Sequence, residues 1–165
     1  MITSRQIAWP AYLVSATMIV IPIVDAATTL FPWNYSEPRW RFGAVGMLSN
    51  ALLIPTAGLL VAHATSLVLN HTGVRRAISI VGYAAAGLCV LALAMFALDS
   101  LQTRAAVRPE MRLSFNVASI TAALKTLLAG VTYLTFGLAG RRSAKQAAPG
   151  VPLIPTPGEK VPKAR

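Results

Sequence analysis

Residues Ala77–Leu98 read AISIVGYAAAGLCVLALAMFAL, an apolar run without one charged side chain. A hydrocarbon layer about 30 Å thick is crossed by about 20 helical residues rising about 1.5 Å each, and this run meets that length. Three further runs flank it: Trp9–Leu30, Phe42–Leu69 and Leu113–Leu138. In lipid the backbone groups of each run must be satisfied within the run itself, which a helix does. The expected fold is therefore all-α and integral to a membrane: a four-transmembrane-helix bundle over residues 1–140, followed by a basic, proline-rich tail over residues 141–165.

Composition agrees with that class. Hydrophobic residues make up 55% of the chain and charged residues only 12%, against about a quarter charged in soluble domains. Four spans leave no length for a soluble catalytic domain. The net charge of +10 does not point to nucleic acid, because no basic stripe with interleaved aromatics exists outside the spans. The basic residues lie between and after the runs, where topology and anionic headgroups explain them. Arg141, Arg142 and Lys145 are placed to contact anionic lipid at the cytoplasmic face.

The first run also has the look of a signal peptide, with Arg5 as positive flank and Val24-Asp25-Ala26 as a small-residue cleavage site. It continues, however, through Leu30 and Phe31 to Pro32-Trp33, a length that suits a retained span. With four spans, the near-membrane Lys and Arg on the terminal side are Arg5, Arg75, Arg76, Arg141, Arg142 and Lys145. Against them stand Arg39, Arg41, Arg104, Arg108 and Arg112. Counting Lys160, Lys163 and Arg165 as well, the balance favours cytoplasmic termini in the cell (inner) membrane.

Two loops would face the other side. In Phe31–Arg41, Trp33, Tyr35 and Trp40 suit the headgroup level, while Glu37 lies near enough to Arg39 and Arg41 for a local ion pair. This loop is either an aromatic anchor for two helix ends or a surface that docks a partner or caps a ligand. The second, Asp99–Arg112, is expected as a solvated charged loop, with an anion-binding rim of Arg104, Arg108 and Arg112 as the alternative. After Gly140, Pro149, Pro152, Pro155, Pro157 and Pro162 forecast a disordered or polyproline-like tail.

Asp25 and Lys125 are the formal charges well inside the runs, and such groups at membrane depth cost about 2.5–3.5 kcal/mol on insertion scales. Stripes of polar and small residues on the first span (Ser15, Met18, Pro22, Asp25, Thr29) and the fourth (Ser114, Ala118, Thr121, Lys125, Leu128, Thr132) invite an interhelical Asp25–Lys125 pair. Its role is structural, or a proton or ion relay; otherwise Lys125 snorkels, or either residue pairs with another subunit. Asn50 and Thr121 are expected to make polar contacts between helices. The second run is too long to stand upright, and a kink is expected at Pro55. Gly82, Ala86, Gly87 and Ala94 mark the third span as a packing helix.

Cys89 reads as a small buried hydrophobe. His63 and His71 lack the companions a metal or haem would need. No catalytic, cofactor-binding or metal-binding constellation is visible, so no cofactor is expected.

The residues Phe31-Pro32, Glu37-Pro38-Arg39-Trp40-Arg41, and Asn50 through Pro55 to Gly58 resemble a pattern in small multi-span bacterial proteins of the HpsJ-like family, best known from cyanobacteria. The resemblance spans about thirty residues and implies membership of a membrane group associated with exported polysaccharide, with Trp40 and its flanking arginines as signature. It implies no catalytic residue. The function expected is that of a non-catalytic accessory, scaffold or assembly subunit with a protein partner or a second copy in the membrane. The alternative is a small transport or proton-coupled component built on Asp25 and Lys125.

Overall fold

The computed structural model describes residues 4–146, with side chains over 8–143. Every regular element among them is helical: α1 (Ser4–Thr29), α2 (Pro38–Ala51), α3 (Leu53–Val68), α4 (Thr72–Ala105), a 3-10 turn at Pro109–Met111, and α5 (Arg112–Gln146). Three stretches are long and apolar enough to cross a membrane: Ala8–Thr29, Thr72–Ala105 and Pro109–Ser143. The pair α2 and α3, bent by 41°, makes a fourth if the two are one broken span. Residues 147–165, most of the expected tail, lie outside the described residues, and α5 runs several residues past the boundary expected at Gly140.

The break between α2 and α3 falls at Leu52 and not at Pro55, where the kink was expected. Proline has no N–H and its ring crowds the carbonyl four residues earlier. Pro55 therefore ends the preceding helix at Ala51 and sits in the first turn of α3. The Leu52 carbonyl at the break accepts the Thr56 N–H (3.2 Å), the Thr56 hydroxyl (2.7 Å) and the Tyr133 hydroxyl of α5 (3.3 Å).

Both ends of the α2–α3 unit are shaped by local chemistry. Pro38 opens α2 at the position where a missing N–H costs nothing. At the far end Asn70 takes a left-handed φ of 55°. Its N–H meets the Leu67 carbonyl (3.4 Å) and the His71 N–H meets that of Ser66 (3.0 Å). This pair of bonds closes a helix C-terminus in a Schellman motif, which tolerates Asn at the left-handed position.

The tightest seam joins α4 and α5. A Cβ on Gly82 would stand 2.6 Å from the Gly137 nitrogen and 2.7 Å from the Tyr133 carbonyl, and one on Gly140 would stand 2.7 Å from the Arg75 carbonyl. The Ser79 hydroxyl donates to the Gly137 carbonyl at 2.8 Å. Small residues let two helix backbones approach this closely, and dispersion and interhelical hydrogen bonds follow. Cys89, buried with Ala86, Tyr133 and Phe136, belongs to the same core, as its surroundings foretold. The outward faces stay apolar and uncovered: 6%, 22% and 17% of the three apolar windows are buried, so most of their hydrophobic surface has no partner within the chain.

Helix α1 stands apart. It packs along α3 and touches α2, but nowhere do its Cα atoms come within 8 Å of those of α4 or α5. Its seam with α3 centres on Gly58, where a Cβ would lie 3.0 Å from the Ser15 carbonyl oxygen, Met18 Cβ and Ile19 Cγ1.

Two glycines on one helix test the seam. Gly82→Ala forces the α4 and α5 backbones apart and is expected to cost about 1–3 kcal/mol, the range for overpacking. Gly87→Ala adds its methyl to open space and is expected to be neutral or stabilising by up to about 1 kcal/mol. Thermal unfolding of the two variants in detergent micelles checks the contrast.

Candidate functional site

At one end of the bundle Leu30–Glu37 folds over the gap that α1 leaves against α4. Trp33 and Tyr35 meet edge to face at 5.8 Å, as do Tyr35 and Trp40 at 5.2 Å. The Trp33 indole N–H donates to the Ala27 carbonyl (3.2 Å), and Arg41 donates through Nη1 to the Tyr35 carbonyl (2.7 Å). The three rings and Arg41 roof a cavity of about 500 Å³, walled by Pro22, Ala26 and Ala27 of α1, Ala44 and Leu48 of α2, and Leu88, Leu91 and Met95 of α4. A second cavity of about 290 Å³ shares Ile23, Leu48, Pro55 and Leu88 with it and reaches Cys89 and Tyr133. The lining is apolar almost throughout, so the space suits hydrocarbon: a lipid chain or the side chains of a partner helix.

Arg41 holds the roof to the bundle. Its Nε donates to Asp99 Oδ2 (2.9 Å) and its Nη2 to Oδ1 (2.6 Å), a two-point fork that ties α2 to α4. Asp99 retains 3% side-chain exposure and Arg41 22%. Below the fork, Phe42 stacks between Phe96 (4.8 Å) and Phe115 (4.9 Å), bringing α5 into the same layer. Two expectations are corrected here. Asp99 is a buried helical residue and not part of a solvated loop, because α4 continues to Ala105. Glu37 is not the arginines' ion partner: its carboxylate accepts from Asn34 Nδ2 at 3.1 Å, while Arg39 is exposed. The alternative reading, a single-face rim of Arg104, Arg108 and Arg112, has no one helix to carry it, since α4 ends at Ala105 and the three arginines fall on α4, the loop and α5.

A second arginine works at the opposite end. Arg75 is 6% exposed. Its Nε and Nη2 donate to the Ser66 carbonyl (3.3 and 3.2 Å), Nη2 also to Asn70 Oδ1 (2.8 Å), and Nη1 to the Ser143 carbonyl of α5 (3.2 Å). The guanidinium thus neutralises the negative end of the α3 dipole and ties three helices. Sequence reading assigned Arg75 only to topology. The signal for a cap was Asn70, a residue that favours the left-handed turn, followed closely by a cation. Nearby, the Tyr12 hydroxyl lies 2.9 Å from His71 Nδ1, linking α1 to the α3–α4 turn.

Asp25 and Lys125 are not brought together. The α2–α3 unit stands between their helices. Lys125 Nζ instead donates to Asn50 Oδ1 at 2.7 Å, so Asn50 does make a contact between helices. Thr121 lies exposed one turn away, and Asp25 is exposed with no described basic side chain within ion-pair distance. Arg141 and Arg142 are exposed at the end of α5; the Lys145 side chain lies outside the described residues. Among the described residues no group of three or more His, Cys, Asp or Glu could hold a metal ion. Searches of family models, of curated proteins and of solved structures find no match to this chain. The HpsJ-like resemblance therefore stands on its quoted residues alone.

The two arginines answer differently to substitution. Asp99→Asn leaves the Arg41 fork without its counter-charge, and Arg41→Lys keeps the charge but loses the two-point geometry. Both are expected to lower the melting temperature and to speed proteolysis within residues 30–37, Asp99→Asn more strongly. Arg75→Met strips donors from buried carbonyls and is expected to cost about 1–3 kcal/mol, with proteolysis rising at the α3–α4 turn instead. Limited proteolysis with mass mapping separates the two ends.

Proposed function

We propose that the chain is a multi-pass integral membrane protein acting as a non-catalytic accessory, scaffold or assembly subunit, with its termini in the cytoplasm and the Leu30–Glu37 loop on the far side. The observation that carries this reading is the division of polar groups. The arginines inside the bundle, Arg41 and Arg75, bind helices to one another, while the outward surface is uncovered Leu, Ile and Val. Along α4, Arg75 and Asp99 stand about 36 Å apart at 1.5 Å per residue, enough to bracket a hydrocarbon layer of about 30 Å. The aromatic roof, with apolar space beneath it, is the docking surface for a membrane partner. The relay reading needs Asp25 and Lys125 in reach of each other, and they stand on helices that do not meet.

Reporter fusions and labelling test this. The protein is expected to stay with membranes through alkaline carbonate. A single cysteine at Ser36, in a Cys89→Ala background, is expected to react with a membrane-impermeant maleimide added from outside intact cells. A fusion after Ser143 is expected to report the cytoplasm. Purification in mild detergent is expected to retain a bound protein, and Trp40→Ala to release it. A folded protein that is a monomer with no companion overturns the accessory reading.

A further inference from the structure

The two charges that fail to meet within one chain have one depth in common. Residues 15–19 of α1 lie level with Gly58 of α3, each contact of a Cβ there being 3.0 Å. From that level Asp25 is about seven residues further towards the aromatic loop and Asn50 about eight, which is about 10–12 Å in both cases. Lys125 shares the level of Asn50 through its 2.7 Å hydrogen bond. Copies inserted in the same orientation are related by rotation about the membrane normal, and such a rotation preserves depth. A group on one copy therefore meets only groups at its own level on another.

Each charge is also uncommitted. Asp25 is exposed on α1 and no described basic side chain lies within ion-pair distance. Lys125 is exposed on α5, and of the three donors of an ammonium one is taken by Asn50. Ionisable groups at this depth usually face a protein neighbour or an aqueous cavity, because lipid solvates neither. Building on the membrane-spanning reading above, we infer that the protein self-associates. Asp25 of one copy pairs with Lys125 of the next, and the exposed α1 face around Asp25 lies against the α5 face around Thr121, Lys125 and Leu128. Two different patches meet, so the contact is heterologous: each copy offers Asp25 to one neighbour and Lys125 to the other, and the assembly is a ring or a row.

Two differently tagged full-length chains, both Cys89→Ala, test it when co-expressed. One carries Thr28→Cys and the other Thr121→Cys, exposed positions one turn towards the loop end from Asp25 and Lys125. Oxidation of native membranes is expected to give a disulfide joining the two tags. A single chain with both cysteines is expected to give none within itself when diluted into detergent. The inter-tag disulfide is expected to be lost with Asp25→Asn or Lys125→Met in both chains. It is expected to return with Asp25→Lys and Lys125→Asp together, which also shows that the variants fold. Carbonate-resistant protein that gives no inter-tag disulfide, gives one indifferent to the charges, or cross-links only to a different protein overturns self-association while leaving the spanning reading intact. Release of the protein by carbonate overturns the spanning reading itself.

Discussion

The backbone contact between α4 and α5 is the constraint on which the rest of the bundle depends. In water, two helices with apolar faces are driven together by the solvent. In lipid, the surroundings the proposed spanning reading gives this bundle, that drive is absent, and close packing with interhelical hydrogen bonds replaces it. Gly82 and Gly137 supply the closeness and Ser79 a hydrogen bond to a carbonyl. With that seam fixed, Tyr133 and Phe136 present a surface against which Leu59 and Ala62 of α3 pack. Helix α1 is then added mainly through α3, with a lesser contact to α2.

Arginine finishes both ends, by different means. At the loop end the Arg41 fork meets a carboxylate that has almost no exposure of its own, so the two charges cancel and the pair behaves as a neutral bolt between α2 and α4. At the other end Arg75 meets no acid among the described residues. Its partners are carbonyls, whose aligned dipoles at the C-terminus of α3 supply the negative potential. Arginine suits both places because a planar fork of five donors reaches several acceptors at once. In the middle of the bundle threonine hydroxyls such as Thr126 turn back on their own helix, to the Ala122 carbonyl (2.9 Å), while the Tyr133 hydroxyl reaches across to the Leu52 carbonyl (3.3 Å).

Much of this architecture was legible in one dimension. Apolar length is a sum over neighbouring residues, so four runs, the small-residue face of α4 and the burial of Cys89 could all be read directly. Pairing is a property of three dimensions. Asp99 ends an apolar run and looks like the start of a loop, and Glu37 lies four residues from Arg41, so sequence proximity favoured the wrong carboxylate. Asp25 and Lys125 are complementary in charge and depth, but no run of letters says which helices are neighbours. The α2–α3 unit intervenes. Some of what was missed obeys simple chemistry: a proline disrupts the helix four residues before itself, which places the break at Ala51–Leu52. Arg75, close behind Asn70, had the position of a C-terminal cap.

The isolation of α1 bears on the order in which the molecule comes into being. On the spanning reading proposed above, the chain enters a bilayer as it is synthesised and delivers its helices from the N-terminus. Helix α1 arrives first, yet the Gly58 seam that seats it belongs to α3. Arg41 then emerges 58 residues ahead of Asp99, so α2 waits with an unmatched cation until α4 is made. The α4–α5 seam, on which everything else rests, forms last. Until α4 enters, the nascent bundle is a loose hairpin of α1 on α3, with α2 beside it and its cation unmatched, and only the arrival of α5 closes the seam.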